Sequence, residues 1–231
     1  MPILDQWDLR LDADAVLRGQ GADPSILRSR RPRLFDIAGQ ALDEGLALIK
    51  PRVLYERFTV ESLCHNRVRL VGGNDLKGEA PVQHLGAAQE VLIAVCTIGG
   101  ELEARAQKVM ETEIVYGLAL YGVGSAAVEA LANAVCKDFE DEAAARGWQT
   151  TIPLSPGMIG WSVEDGQPQI FSLLDGSQVD VRLTSSSIML PLKSLSLVMG
   201  LGPDLNRLGT TCDFCAMHAV CKYKNNHAKP E

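Results

Sequence analysis

The segment that most restricts the architecture is 113–146, where a helical pattern runs without a break. Leu118, Tyr121, Ser125, Val128, Ala132, Val135 and Phe139 recur at alternating three- and four-residue spacing. Gly117, Ala119, Gly122, Gly124, Ala126 and Ala127 crowd its first half, as close approach by another backbone or a ligand would require. Gly147 supplies the stop.

Shorter elements surround it. Leu34–Ile49 has apolar residues at 34, 37, 38, 41, 42, 46 and 49, a second helical spacing, and Pro51 ends it. Arg52–Val60 alternates as a strand does. Asn66 precedes another strand at Arg67–Val71, and Gly72–Asp75 turns the chain. Glu90–Cys96 reads as a buried strand ending in the Gly99-Gly100 turn. A helix opens at Glu101, with Thr97 placed to start it. Asp12 and Asp23 suit helix caps and Pro24 a first turn, in an arginine-rich segment 1–33 read as a loosely packed arm. In the last third, a loop holds Pro153, Pro156, Gly157 and Gly160. Ile170–Leu174 reads as a short helix or turn, and Val179–Leu183 and Ser194–Met199 as strands. Together these predict one α+β domain at 34–205, preceded by the arm and followed by a metal-binding tail at 206–231.

Composition narrows the function classes. With 231 residues and 46% apolar content a real core is available, but at 5% aromatics Leu, Val, Ile and Ala must build it. A net charge of −7 argues against nucleic acid and against an anionic membrane surface. No run reaches the ~18 uninterrupted apolar residues of a membrane helix. The start lacks a basic region leading into an apolar stretch, so the expected compartment is cytoplasmic. There, clustered cysteines serve as metal ligands more often than as disulfides.

Half of the six cysteines fall within ten residues: Cys212, Cys215 and Cys221. A C-x2-C pair lets two thiolates converge on one metal, and a third cysteine six residues on can close another corner. An iron–sulfur cluster is the first candidate. Structural zinc, with His218 or His227 as fourth ligand, and plain reduced thiols are the alternatives. Lys222 and Lys224 would favour thiolates. The spacing is not the C-x3-C-x2-C of radical AdoMet enzymes. Cys64, Cys96 and Cys136 sit in apolar settings and read as core thiols, while His65 and His84 show no partner pattern.

Five collinear stretches are similar to one family. They are Val95–Gly99, Gly124–Ala132, Ser155–Gly157 with Trp161, Gln169–Asp175, and Val181–Ser196 with its Thr184-Ser-Ser-Ser187 step and Lys193-Ser194. Together they resemble the S-adenosylmethionine (AdoMet)-binding reactivation domain of cobalamin-dependent methionine synthase, in a short stand-alone form. The resemblance implies a twisted, mainly antiparallel sheet with surrounding helices. It implies AdoMet bound beside a corrinoid, where an electron and the AdoMet methyl group convert cob(II)alamin to methylcobalamin. Glu129 would then be a polar AdoMet contact, and Ser155, Pro156 and Gly157 the loop beneath the ligand. Thr184, Ser185, Lys193 and Ser194 would line the adjoining face. Two positions depart from the family: Met158 stands for a tyrosine, and Pro153 for an arginine that would pair with the AdoMet carboxylate.

The function so implied is an accessory redox protein of a corrinoid-dependent methyltransferase. It would pass an electron from an unidentified donor to cob(II)alamin, a step suited to iron–sulfur centres, whose potentials reach roughly −700 mV. The competing expectation is a non-catalytic docking module for a corrinoid protein, with structural zinc in the tail.

Overall fold

The apolar run after Glu90 lies at the middle of a sheet, as a strand buried on both faces should. The computed structural model describes residues 1–205 and 209–219. In it, β5 (Glu90–Thr97) pairs with β2 (Arg52–Cys64) on one side and β9 (Ser194–Gly202) on the other. From β2 the sheet continues to β3 (Arg67–Leu70) and β4 (Asn74–Lys77). β1 (Ile3–Leu4) lies beside the start of β2, and β6 (Gln149–Thr150) ends the other edge on β9. All these pairings are antiparallel. A separate hairpin joins β7 (Arg182–Leu183) to β8 (Met189–Leu190).

Alternation along β5 divides the core in two. Leu92, Ala94 and Cys96, with Leu197 and Met199, face a layer of helices: α1 (Ala13–Gly19), α3 (Pro32–Leu46), α5 (Glu101–Met110) and α6 (Ile114–Ala145). Val91, Ile93, Val95 and Val198 face α4 (Glu79–Leu85) and α7 (Val163–Leu173).

The long helix is α6. An ideal Cβ built at Gly122 would sit 2.8 Å from the Val16 carbonyl oxygen, so glycine there is what lets α1 lie against it. Its wholly buried line is Leu120, Val123, Ala127, Leu131 and Val135. Leu118 and Tyr121, which the periodicity put on the apolar face, are 49% and 38% exposed; the nearby α1 and α5 cover other sides of the helix. By length and composition α6 could cross a membrane, but half of its most apolar stretch is buried, as befits a core helix.

Four expectations are corrected. The first 33 residues are not loosely packed: Val16 and Leu17 are fully buried against the first core, and β1 pairs with β2. Asp12 and Asp23 do cap α1 and α2 (Pro24–Arg30), and Arg28 pairs with Asp14 at 2.6 Å. Second, Val179–Leu183 is not a strand. Asp175 accepts from the Ser177 N–H, Gly176–Val179 form a 3-10 turn, and only Arg182–Leu183 pair. Third, Thr97 ends β5 rather than capping α5, which follows Gly100 without a side-chain cap. Fourth, Cys96 and Cys136 are buried thiols, but Cys64 is half-exposed at the end of β2.

Candidate functional site

Three of the candidate residues, Glu129, Lys193 and Ser194, lie along a seam where α6 crosses the start of β9. Gly124 leaves just enough room for Lys193: an ideal Cβ there would be 3.0 Å from the lysine Cγ. The stem therefore lies flat on α6 and delivers the ammonium to the next turn. Lys193 Nζ donates to Ser125 Oγ at 2.8 Å and stands 3.2 Å from the centroid of the Tyr121 ring, a cation–π contact. The side chain is 6% exposed, and burial pushes its pKa from 10.5 down to about 8, opposed by the charge of Glu103. An ammonium has three donors. One meets Ser125 and the ring takes part of the remaining charge, so there is capacity for an anion.

Glu129 lies one turn beyond Ser125 on α6 and is half-buried. Across the seam, Ser194 Oγ bonds to Thr97 Oγ1 at 3.0 Å, and Thr97 Oγ1 accepts from the Gly99 N–H at 3.2 Å. These hydroxyls tie the start of β9 to the end of β5.

The Ser155–Gly157 loop leaves the outer edge of the same strand. Leu154 and Val198 exchange backbone hydrogen bonds of 2.8 Å in both directions, and the chain then turns away. Gly157 has φ 103°, a conformation that favours glycine, and donates to the Trp161 carbonyl at 2.8 Å. Met158 N–H donates to the Ser155 carbonyl at 3.2 Å. The structure thus puts Ser155, Pro156 and Gly157 just past the Leu154–Val198 pair at the middle of β9, and Lys193 and Ser194 at the start of that strand. Thr184 and Ser185 lie elsewhere, in the turn between β7 and β8. There Thr184 Oγ1 accepts from the Ile188 N–H at 3.1 Å, which closes the turn on itself, and Ser185 is exposed.

The cysteine tail docks beside the loop. Thr210 and Asp213 form a reciprocal cap, followed by a 3-10 turn at Thr211–Phe214. Cys212 and Cys215 are half-exposed on this turn, with the Cys215 N–H donating to the Cys212 carbonyl at 3.3 Å. His218 Nδ1 lies 2.6 Å from the same carbonyl. A carbonyl can only accept, so Nδ1 carries the proton there and Nε2 is left as a lone-pair donor. Ile159 N–H donates to the Phe214 carbonyl at 3.0 Å, and Met158 bridges to Cys215. The Phe214 ring meets His84 edge-on, centroids 4.5 Å apart, against the second core. Burial lowers the His84 pKa. Cys221, His227, Lys222 and Lys224 lie outside the described residues. Among the described residues no group of three or more His, Cys, Asp or Glu could hold a metal.

Sequence reasoning missed three contributors. The periodicity puts Ser125 and Tyr121 on a core stripe, and only their contact with Lys193, far along the chain, reveals their part. Phe214 carried a readable signal, an aromatic between two cysteines in a chain with few aromatics.

No family model and no curated protein matches the chain. Among solved structures, the crystal structure of the MetH reactivation domain bound to AdoHcy matches with a TM-score of 0.62 and 16% identity. The match covers 90% of this chain and 81% of that one. The chain therefore has the fold of that domain, a curled antiparallel sheet with helices on both faces.

Proposed function

We propose that this chain is an accessory protein of corrinoid-dependent methyl transfer, which holds AdoMet on the α6–β9 seam and delivers an electron to cob(II)alamin on a partner. The observation that carries this reading is the buried Lys193 ammonium, held by Ser125 and Tyr121 one helical turn from Glu129, in a fold shared with an AdoHcy-bound reactivation domain. The donor set fits the ligand. AdoMet has a carboxylate, an ammonium and a sulfonium, and the seam offers a cation and a carboxylate on adjacent turns. Lys193 takes the part that the arginine replaced by Pro153 would have played, and Glu129 offsets the positive groups. The backbone of Ser155, Pro156 and Gly157 bounds the loop side, and Ser194 the strand side, with Thr184 and Ser185 as more distant contacts. When bound, AdoMet supplies an electrophilic methyl group.

The electron is assigned to an iron–sulfur cluster on Cys212, Cys215 and Cys221. Two of these thiols share one turn, which abuts the loop through Met158 and Ile159. The external donor and the corrinoid protein are partners in this scheme. Cob(II)alamin, titanium(III) citrate and AdoMet, incubated anaerobically with the protein, test it. Absorption should convert to that of methylcobalamin faster than without protein, and Glu129→Gln should slow the conversion at least ten-fold. An unchanged rate contradicts the reading.

A second reading, a docking module with structural zinc, is favoured by one observation: the His218 tautomer leaves Nε2 free to ligate. Metal analysis separates the two. Iron with equal sulfide and bleachable visible absorption supports the first, and about one zinc in a colourless protein the second.

A further inference from the structure

A cleft of about 900 Å³ opens between α4, the β2–β3 turn, the Met158–Trp161 loop and the start of α7. Its size suits a small organic molecule. Met158 and Trp161 form an apolar floor, and His65, Gln83, Glu79 and Asp165 stand at the rim. No lysine or arginine lines it among the described residues.

The floor has an unmet need. Trp161 is 2% exposed, and its indole Nε1 finds no hydrogen-bond partner among the described residues. The atoms on either side of that nitrogen locate it. Trp161 Cδ1 lies 2.9 Å from an ideal Cβ at Gly78, and Cε2 lies 2.8 Å from one at Gly166. The nitrogen between these two atoms is therefore packed beside Gly166 and Gly78, the latter of which lines the cleft, and is itself sealed from solvent. A buried indole N–H without an acceptor is costly, and a bound acceptor would recover that cost. The rim adds a second demand. Asp165 accepts from Ser162 Oγ at 2.7 Å, and neither Glu79 nor Asp165 has a basic partner within ion-pair distance among the described residues. Two carboxylates over an apolar floor favour a cation and repel an anion.

We infer that this cleft is a second small-molecule site, for a cationic, partly aromatic ligand whose carbonyl or ring acceptor takes the Trp161 indole N–H while its ammonium lies between Glu79 and Asp165. The inference stands apart from the AdoMet reading, because it uses none of the seam residues.

Indole N–H resonances of the full-length protein test it. Only Trp7, Trp148 and Trp161 can contribute, and Trp161→Phe, which keeps an aromatic floor, identifies the third signal. The probes are 4-(aminomethyl)benzamide and 4-carbamoylbenzoate, which share a ring and an amide acceptor but carry opposite charges. The cationic probe should move the Trp161 signal saturably in the millimolar range, and the anionic probe should need at least ten-fold more. Glu79→Gln with Asp165→Asn should abolish that discrimination while leaving the Trp7 and Trp148 signals in place. Equal responses to both probes overturn the inference. So does no response at all, which leaves the N–H to a buried water. Loss of the cationic probe's effect when AdoMet is added would also overturn it, by showing that the two sites are one.

Discussion

The α6–β9 seam and the cysteine tail hold their polar groups in opposite ways. At the seam, a buried lysine is fixed by a glycine that makes room for its stem, a serine and a tyrosine ring, all on a helix locked into the core. In the tail, two half-exposed cysteines sit on a single 3-10 turn. One phenylalanine and a short backbone bridge to Met158 and Ile159 hold that turn to the body. The seam is preorganised by these contacts, whereas among the described residues of the tail few interactions hold the turn in place. In this account recognition belongs to the rigid region and metal-dependent order to the other.

The largest expected effect probes the seam. Lys193 titrates near 8 when folded and near 10.5 when unfolded. Below pH 8 both states are protonated and the folded state bears the whole cost of the buried charge. Between pH 8 and 10.5 the folded state loses its proton first, so the unfolded state binds more protons and stability rises with pH. Wild type should gain on the order of 2–3 kcal/mol relative to Lys193→Met across that window, measured by urea unfolding at several pH values. A gain on lowering the pH would contradict the placement of the charge.

Gly122→Ala comes next. Alanine favours a helix by about 1 kcal/mol, yet its Cβ would strike the α1 backbone. Net destabilisation of about 2 kcal/mol is expected, and a stabilised variant would mean that α1 is free to move. Phe214→Ala should cost about 1 kcal/mol, since the ring is only partly buried. It should raise amide exchange in 211–219 and leave β5 protected; loss of protection in β5 would erase the contrast between the regions. Smallest is Cys215→Ser, which should remove metal and change core stability by less than about 0.5 kcal/mol. Global unfolding would make the tail part of the core.

Much of this was legible in the sequence because local chemistry agreed with the fold. Asp12 and Asp23 cap the helices they precede, Gly147 ends α6, and the Glu90–Cys96 run is the central strand. The collinear stretches around Glu129, Ser155–Gly157 and Lys193 also lie on elements that meet at β9. What stayed hidden depends on distant partners. The arm looked polar because its two core residues, Val16 and Leu17, count only once α6 offers a glycine to receive them. Tyr121 looked like core because periodicity cannot tell a face covered by neighbours from one that receives a lysine. The orphaned Trp161 nitrogen has no sequence signature at all.

The central claim is that Lys193 and Glu129 hold AdoMet on the seam, and calorimetric titration of AdoMet into anaerobic protein tests it most directly. The account predicts saturable binding at one site, weakened at least ten-fold by Lys193→Met and by Glu129→Gln, and unchanged by Cys215→Ser. Absence of binding, or binding indifferent to both seam variants, would contradict it.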